Sequence, residues 1–214
     1  LNMSDLLFSI EQGVNGEVGF ITLNRVKALN ALTQEMVISL YEQLLIWNDA
    51  KHIKAVVIRS NSKKAFCAGG DVVKLHELNQ QSSQKALNFF KTEYILNCLI
   101  RAYKKPYIAL LDGLTIGGGV GISLHGHYPI ATENFSFAMP ETGIGFFPDV
   151  GGGYLLSRCK GALGVYLGLT GQRIKRADAI EAGLLKHTLR SYDQAVFIER
   201  LLGLDLTTAP YSKI

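Results

Sequence analysis

Tyr107-Ile-Ala-Leu-Leu-Asp-Gly113-Leu-Thr-Ile-Gly117-Gly118-Gly119-Val-Gly121 opens on a short apolar run and closes on a glycine triplet. Tyr107 to Leu111 reads as a strand, and the residues after the triplet read as an apolar helical stretch toward His125. A strand that breaks on glycines and restarts as a helix leaves unpaired peptide N–H groups at the junction. The same plan stands upstream. Ala55 to Arg59, with its Val56-Val57-Ile58 run, has the β-branched apolar character of a strand buried on both faces. A glycine-bearing loop over Lys63 to Asp71 follows, containing Ala68-Gly69-Gly70-Asp71, and then a helix over Val72 to Leu78.

Around these two units, further strands are expected at Glu17 to Leu23, Tyr128 to Ala131 and Ser136 to Ala138. Thr33 offers an N-cap to a helix whose Met36, Val37, Leu40, Leu44 and Trp47 recur at helical spacing. Lys85 to Tyr103 is helical, and beyond Gly151 helices are expected at Gly152 to Arg158, Leu163 to Leu169, Ala177 to Ala182 and Asp193 to Leu202. Strands alternating with helices argue for an α/β domain with right-handed crossovers.

The 214 residues, 48% hydrophobic and 19% charged, suffice for one globular domain with a sizeable core and argue against disorder. Apolar runs are interrupted well before membrane-spanning length. The net charge of +4 comes from scattered lysines and arginines, so no basic stripe points to nucleic acid. Cys67, Cys98 and Cys159 lie far apart and odd in number, which argues for a reducing compartment. Neither an export signal nor an Arg-rich transit peptide is visible, so the default location is cytoplasmic. Leu1-Asn2 ahead of Met3 reads as an added or upstream extension without structural weight.

A third segment carries acids. Phe137-Ala-Met-Pro140-Glu141-Thr-Gly143-Ile-Gly145-Phe-Phe-Pro148-Asp149-Val-Gly151-Gly-Gly153 sets two carboxylates eight positions apart in otherwise apolar, glycine-rich sequence. Either acid has a structural role open to it: Glu141 accepting backbone N–H groups in a turn, Asp149 capping the helix near Gly151. Burying an unpaired acid is costly, which argues for chemistry instead. The histidines form no Ser-His-Asp order or metal-ligand spacing; His125 and His127 flank a glycine, and His52, His76 and His187 stand alone. Gly-x-Ser-x-Gly is absent, as is the Gly-Lys-Ser/Thr of a phosphate loop. Acyl-transfer chemistry in this chain would have to use carboxylates and peptide N–H groups.

These three segments, in this order, resemble the crotonase superfamily, whose members bind acyl-CoA thioesters and hold the thioester oxyanion on two peptide N–H groups. The implied fold is a crotonase-like α/β spiral of ββα units with a helical C-terminal region. Leu23 to Leu32 is similar to the family's first CoA-binding segment, which implies that Lys27, Ala28 and Leu29 lie along the nucleotide and pantetheine arm. Val26 stands where the family usually has proline, a change expected to soften the turn without removing it. Ala65-Phe66-Cys67-Ala68-Gly69-Gly70-Asp71 matches the first oxyanion segment, and Gly117-Gly118-Gly119 the second. Gly70 and Gly118 are the implied donors, with Ala68 and Asp71 as substrate contacts.

The acids narrow the resemblance. Enoyl-CoA hydratases normally carry a glutamate where this chain has Gly121, while Glu141 falls on the superfamily's other catalytic glutamate. Met139-Pro-Glu141-Thr-Gly-Ile-Gly, Phe147-Pro-Asp149-Val-Gly-Gly-Gly-Tyr and His125-Gly126-His127 resemble the 3-hydroxyisobutyryl-CoA hydrolases, and Glu93 aligns with a substrate-contacting glutamate of that group. The resemblance implies a thioester hydrolase with Glu141 and Asp149 as its catalytic pair, no metal, and no cofactor beyond the coenzyme A of the substrate itself. Its expected partners are an acyl-CoA and further copies of the chain, with neither nucleic acid nor membrane; in a eukaryote the location would be the mitochondrial matrix. A core over residues 1–170 and the start of a helical region over 171–214 are expected, the latter truncated because hydrolases of this group continue further. Two rivals stand: a hydratase or isomerase with Glu141 as sole acid-base group, and a non-catalytic acyl-CoA-binding subunit.

Overall fold

The computed structural model describes residues 4–214, so the Leu1-Asn2 extension lies outside the described residues. A hairpin opens the chain, β1 (Leu6–Gly13) antiparallel to β2 (Gly16–Leu23), and helix α1 (Gln34–Asp49) follows. Thr33 caps α1 as expected, its side chain accepting the Met36 N–H at 3.3 Å. Met36, Val37, Leu40, Leu44 and Trp47 form the buried stripe. Trp47 lies so close to β2 that a Cβ on Gly19 would stand 2.6 Å from its ring, which is why that strand position holds no side chain.

Three ββα turns then build the spiral. Strands β3 (Ile53–Ser60), β5 (Tyr107–Leu111) and β7 (Tyr128–Ala131) join one sheet, and β4 (Ala65–Cys67), β6 (Leu114–Ile116) and β8 (Ser136–Ala138) join another. Between them run α2 (Val72–Gln81), α3 (Ser83–Arg101) and the single turn α4 (Gly118–Gly121). After β8 come α5 (Gly152–Leu156), α6 (Leu163–Thr170), β9 (Ile174–Lys175), α7 (Arg176–Glu181), β10 (His187–Thr188), α8 (Gln194–Leu202) and α9 (Pro210–Lys213). The six-stranded sheet has the order β1-β2-β3-β5-β7-β10, parallel except for the β1–β2 hairpin. The four-stranded sheet runs β4-β6-β8-β9, with β9 antiparallel.

The centre of the larger sheet is buried on both faces, as the apolar runs of β3 and β5 require. Val56, Ile58, Tyr107, Ala109 and Leu111 pack with α1 and α3 in the main core; Ala55, Val57, Ile108 and Leu110 face the other way onto Leu201 of α8. Strand alternation thus supplies two cores from one sheet.

Several features differ from the sequence reading, among them β9 and β10, two-residue strands in the stretch beyond Gly151 where only helices are expected. The edge strand β1 was not foreseen, because its burial is partial and Leu7 and Ile10 are exposed. Strand β4 falls inside the expected loop at Lys63 to Asp71, and β6 inside the glycine-rich stretch; each has three residues, too few to show a period. The helix after the triplet ends at Gly121, and turns carry the chain on toward His125. Where Val26 replaces proline, a 3-10 turn still forms over Val26–Ala28, closed by the Leu29 N–H on the Val26 carbonyl at 3.1 Å.

Candidate active site

The two glycine turns meet. Leu32 and Gly70 form an isolated parallel bridge, in which the Leu32 N–H donates to the Gly69 carbonyl and the Asp71 N–H to the Leu32 carbonyl, both at 2.8 Å. In such a bridge the central residue's own N–H points away from its partner, so the Gly70 amide faces the opposite side. Gly118 stands there as the first residue of α4, where a peptide N–H has no intrahelical acceptor. A Cβ on Gly118 would lie 3.3 Å from the Gly70 nitrogen. Neither amide donates to a protein acceptor among the described residues.

The expected CoA segment borders the same turn. Ala68 donates its N–H to the Leu29 carbonyl at 3.0 Å, which ties the first oxyanion segment to Lys27, Ala28 and Leu29. Lys27 is exposed, and Leu29 and Asn30 take the left-handed conformation that turns the backbone. Asp71 caps α2, accepting the Lys74 N–H at 3.0 Å, and pairs with Arg25 Nη2 at 2.7 Å. Although burial raises its pKa, the Lys74 N–H and Arg25 outweigh that and hold the carboxyl below its usual range. Its carboxylate therefore braces the turn.

Two acids from different elements border the glycine turn, and a third, Asp149, lies close enough for its charge to act on both. Glu93 comes from α3, is 3% exposed, and its Oε1 has no protein partner among the described residues; a Cβ on Gly118 would stand 2.5 Å from that atom. Half-buried Glu141 opens a 3-10 turn (Glu141–Ile144), and a Cβ on Gly117 would stand 2.8 Å from its Oε1, while its Oε2 is buried without a protein partner. Asp149 accepts the Tyr94 hydroxyl on Oδ2 at 2.7 Å. It does not cap α5, whose N-cap is Gly151. Phe90, stacked on Phe146 at 5.5 Å, clamps α3 to the loop that carries both Glu141 and Asp149.

His125 fixes the turn after Asp149. Its Nε2–H donates to the Val150 carbonyl at 2.7 Å, at a valine with φ of 44°. Positive φ at a β-branched residue is strained, and such strain persists only where neighbours impose it. Burial lowers the His125 pKa, consistent with a neutral ring that positions the turn. Tyr94 and His125 were not singled out as site residues by the sequence. The available signals were the adjacency of Tyr94 to Glu93 and the His-Gly-His motif.

Burial sets the protonation pattern. It raises Glu93 to about 8, with the charges of Asp149 and Glu141 adding to the rise. Glu141 is pushed up to about 7, again by burial first, with a backbone hydrogen bond opposing and Asp149 adding. Asp149 is raised by burial and partly restored by Tyr94. At neutral pH Glu93 is thus mostly a neutral acid able to donate, while Glu141 is poised between base and acid.

These shifts act against stability at high pH. A buried acid raised above its unfolded value leaves stability intact below about pH 4.5 and removes it as pH rises through the folded value. Glu93→Gln is therefore expected to flatten the fall in melting temperature between pH 5 and 9, with a gain on the order of 5 °C at the alkaline end. Thermal melts across that range check it; parallel curves for the two proteins would contradict the assignment.

The fold and site define a crotonase. A solved carnitinyl-CoA dehydratase from Mycobacterium thermoresistibile is similar over 99% of this chain and 60% of its own, with TM-score 0.88 and 38% identity. An enoyl-CoA hydratase from Rhodobacter sphaeroides 2.4.1 is similar over 93% of this chain and 58% of its own, at TM-score 0.86 and 40% identity. The family model described as Enoyl-CoA hydratase/isomerase matches residues 18–213, and the chain belongs to that crotonase family. The mitochondrial 3-hydroxyisobutyryl-CoA hydrolase of Xenopus tropicalis is 52% identical over 176 residues, 82% of this chain and 46% of that protein. The chain spans about half the length of the curated relatives it matches. Among the described residues no helix is long and apolar enough to cross a membrane.

Proposed function

We propose that the chain carries the hydrolytic centre of a 3-hydroxyacyl-CoA thioesterase acting on 3-hydroxyisobutyryl-CoA. The observation that carries this reading is Asp149 held by Tyr94 beside Glu141, instead of capping α5. That arrangement weakens the hydratase rival, which needs Asp149 as a mere cap and Glu141 as the sole acid-base group. The absence of a second glutamate at Gly121 weakens it further. The similarity to 3-hydroxyisobutyryl-CoA hydrolases supports the substrate class.

In this account the thioester carbonyl lies against the Gly70 and Gly118 amides, which stabilise the oxyanion as it develops. Glu141 either attacks the carbonyl carbon, expelling CoA thiolate and leaving an acyl anhydride that water opens, or takes a proton from water that attacks directly. Asp149 orients that carboxylate and the water. Lys27, Ala28, Leu29 and Ala68 contact the CoA arm. The products are the free hydroxy acid and CoA.

Product chromatography after incubation with 3-hydroxyisobutyryl-CoA, and separately with crotonyl-CoA, tests the reading. Free CoA from the first and unchanged crotonyl-CoA are expected; hydrated crotonyl-CoA with intact thioester would overturn it. Asp149→Asn is expected to slow CoA release by about a hundredfold with little change in KM. An equal rise in KM instead would assign Asp149 to binding.

A further inference from the structure

Helix α3 meets α4 at two successive turns. At one, Glu93 faces Gly118; at the next, a Cβ on Gly121 would lie 2.8 Å from Asn97 Nδ2 and 3.1 Å from Asn97 Oδ1. One helical pitch, about 5.4 Å, separates the two levels. The reach from a thioester oxygen to a substituent on the third acyl carbon is comparable.

Asn97 is 6% exposed, and neither Nδ2 nor Oδ1 has a protein partner among the described residues. Buried amides are costly to leave unpaired and nearly always bond to something. Together with Tyr94, Asp149 and Val150, Asn97 lines a cavity of about 560 Å³ with predominantly apolar walls. The side chain thus borders a cavity from which a ligand group could satisfy the amide.

We infer that the Asn97 side chain binds the hydroxyl of the acyl group, Oδ1 accepting its O–H and Nδ2 donating to its oxygen. The inference rests on the 3-hydroxyacyl-CoA reading and assigns a substrate-binding residue beyond it. An amide presents donor and acceptor together, and a hydroxyl is the small group that answers both. A methyl would leave both amide atoms unpaired, a ketone would leave Oδ1 unpaired, and a carboxylate would face Asp149. Gly121 is part of the device, because any side chain there would meet the amide and Val150 Cβ, also 2.8 Å away. The position that lacks the hydratase glutamate is thus the position that gives Asn97 its room.

The test compares 3-hydroxyisobutyryl-CoA with isobutyryl-CoA, which lacks only the hydroxyl. Asn97→Leu is expected to lower kcat/KM for the hydroxy substrate by about ten- to a hundredfold while leaving isobutyryl-CoA within about twofold. Asn97→Ser, which cannot crowd the cavity, should shift the same ratio in the same direction. An equal fall on both substrates, as expected if Asn97 held packing or a water molecule, would overturn the inference, as would an unchanged ratio. Titration calorimetry of both acyl-CoAs into Glu141→Gln, with and without Asn97→Leu, separates this claim from the hydrolase reading. Hydroxyl preference that needs Asn97 in a protein whose parent releases no thiol would sustain the inference while the hydrolase reading falls. Turnover without hydroxyl preference in binding would do the reverse.

Discussion

Glu141→Gln is expected to lower CoA release by about a thousandfold while CoA affinity stays near that of the parent. Glu141 Oε1 lies at the edge of the Gly117 turn, one residue before Gly118 of the proposed oxyanion site, and its other oxygen is buried without a protein partner among the described residues. Glutamine keeps the shape but can neither attack nor accept a proton. The pH profile gives a second readout. With Glu141 raised to about 7, the ionised form that does the chemistry accumulates only as pH rises through neutrality, so kcat/KM should climb across that range and level off above it. A profile already flat from pH 5 would place the chemistry on another group. Intact-mass analysis after acid quench of a single turnover separates the two routes, because only nucleophilic attack leaves an acyl group on the protein.

Gly118→Ala is expected to cost about a hundred- to a thousandfold in kcat, and Gly70→Ala far less, although both residues keep their N–H. The difference lies in where the added methyl goes. On Gly118 it would stand 3.3 Å from the Gly70 nitrogen, 3.2 Å from Leu32 Cδ1 and 2.5 Å from Glu93 Oε1, filling the space between the donors and displacing the acid. On Gly70 the nearest atom is the Phe89 ring at 3.4 Å, an ordinary contact on the side toward α3. Gly118 does not need positive φ, so alanine should fold there, and circular dichroism with steady-state kinetics would separate lost chemistry from lost structure. Equal effects of the two substitutions would argue against an oxyanion site between these amides.

Much of this arrangement is legible in the sequence because the local rules and the global fold agree. The strand at Tyr107–Leu111 and the helix capped by Thr33 declare themselves through apolar runs and spacing, and their burial follows. The second sheet is legible only at β8, where Ser136 to Ala138 reads as a strand; β4 and β6 have three residues each and β9 two, and what makes them strands is pairing with segments far away in the chain. The site shows the same division. Glu141 and Asp149 stand out as acids in apolar sequence. Whether Asp149 caps a helix or faces a cavity depends on Tyr94 reaching across 55 positions, which no local pattern encodes. Asn97 reads as one more polar residue on a helix until the packing of α3 on Gly121 shows that it faces inward.

Thiol release from 3-hydroxyisobutyryl-CoA by the chain itself, followed with a thiol reagent under saturating substrate, tests the proposed hydrolysis. One thiol per substrate consumed is expected, with free hydroxy acid in equal amount. Acyl-CoA bound at the site with its thioester intact and no thiol released would contradict it.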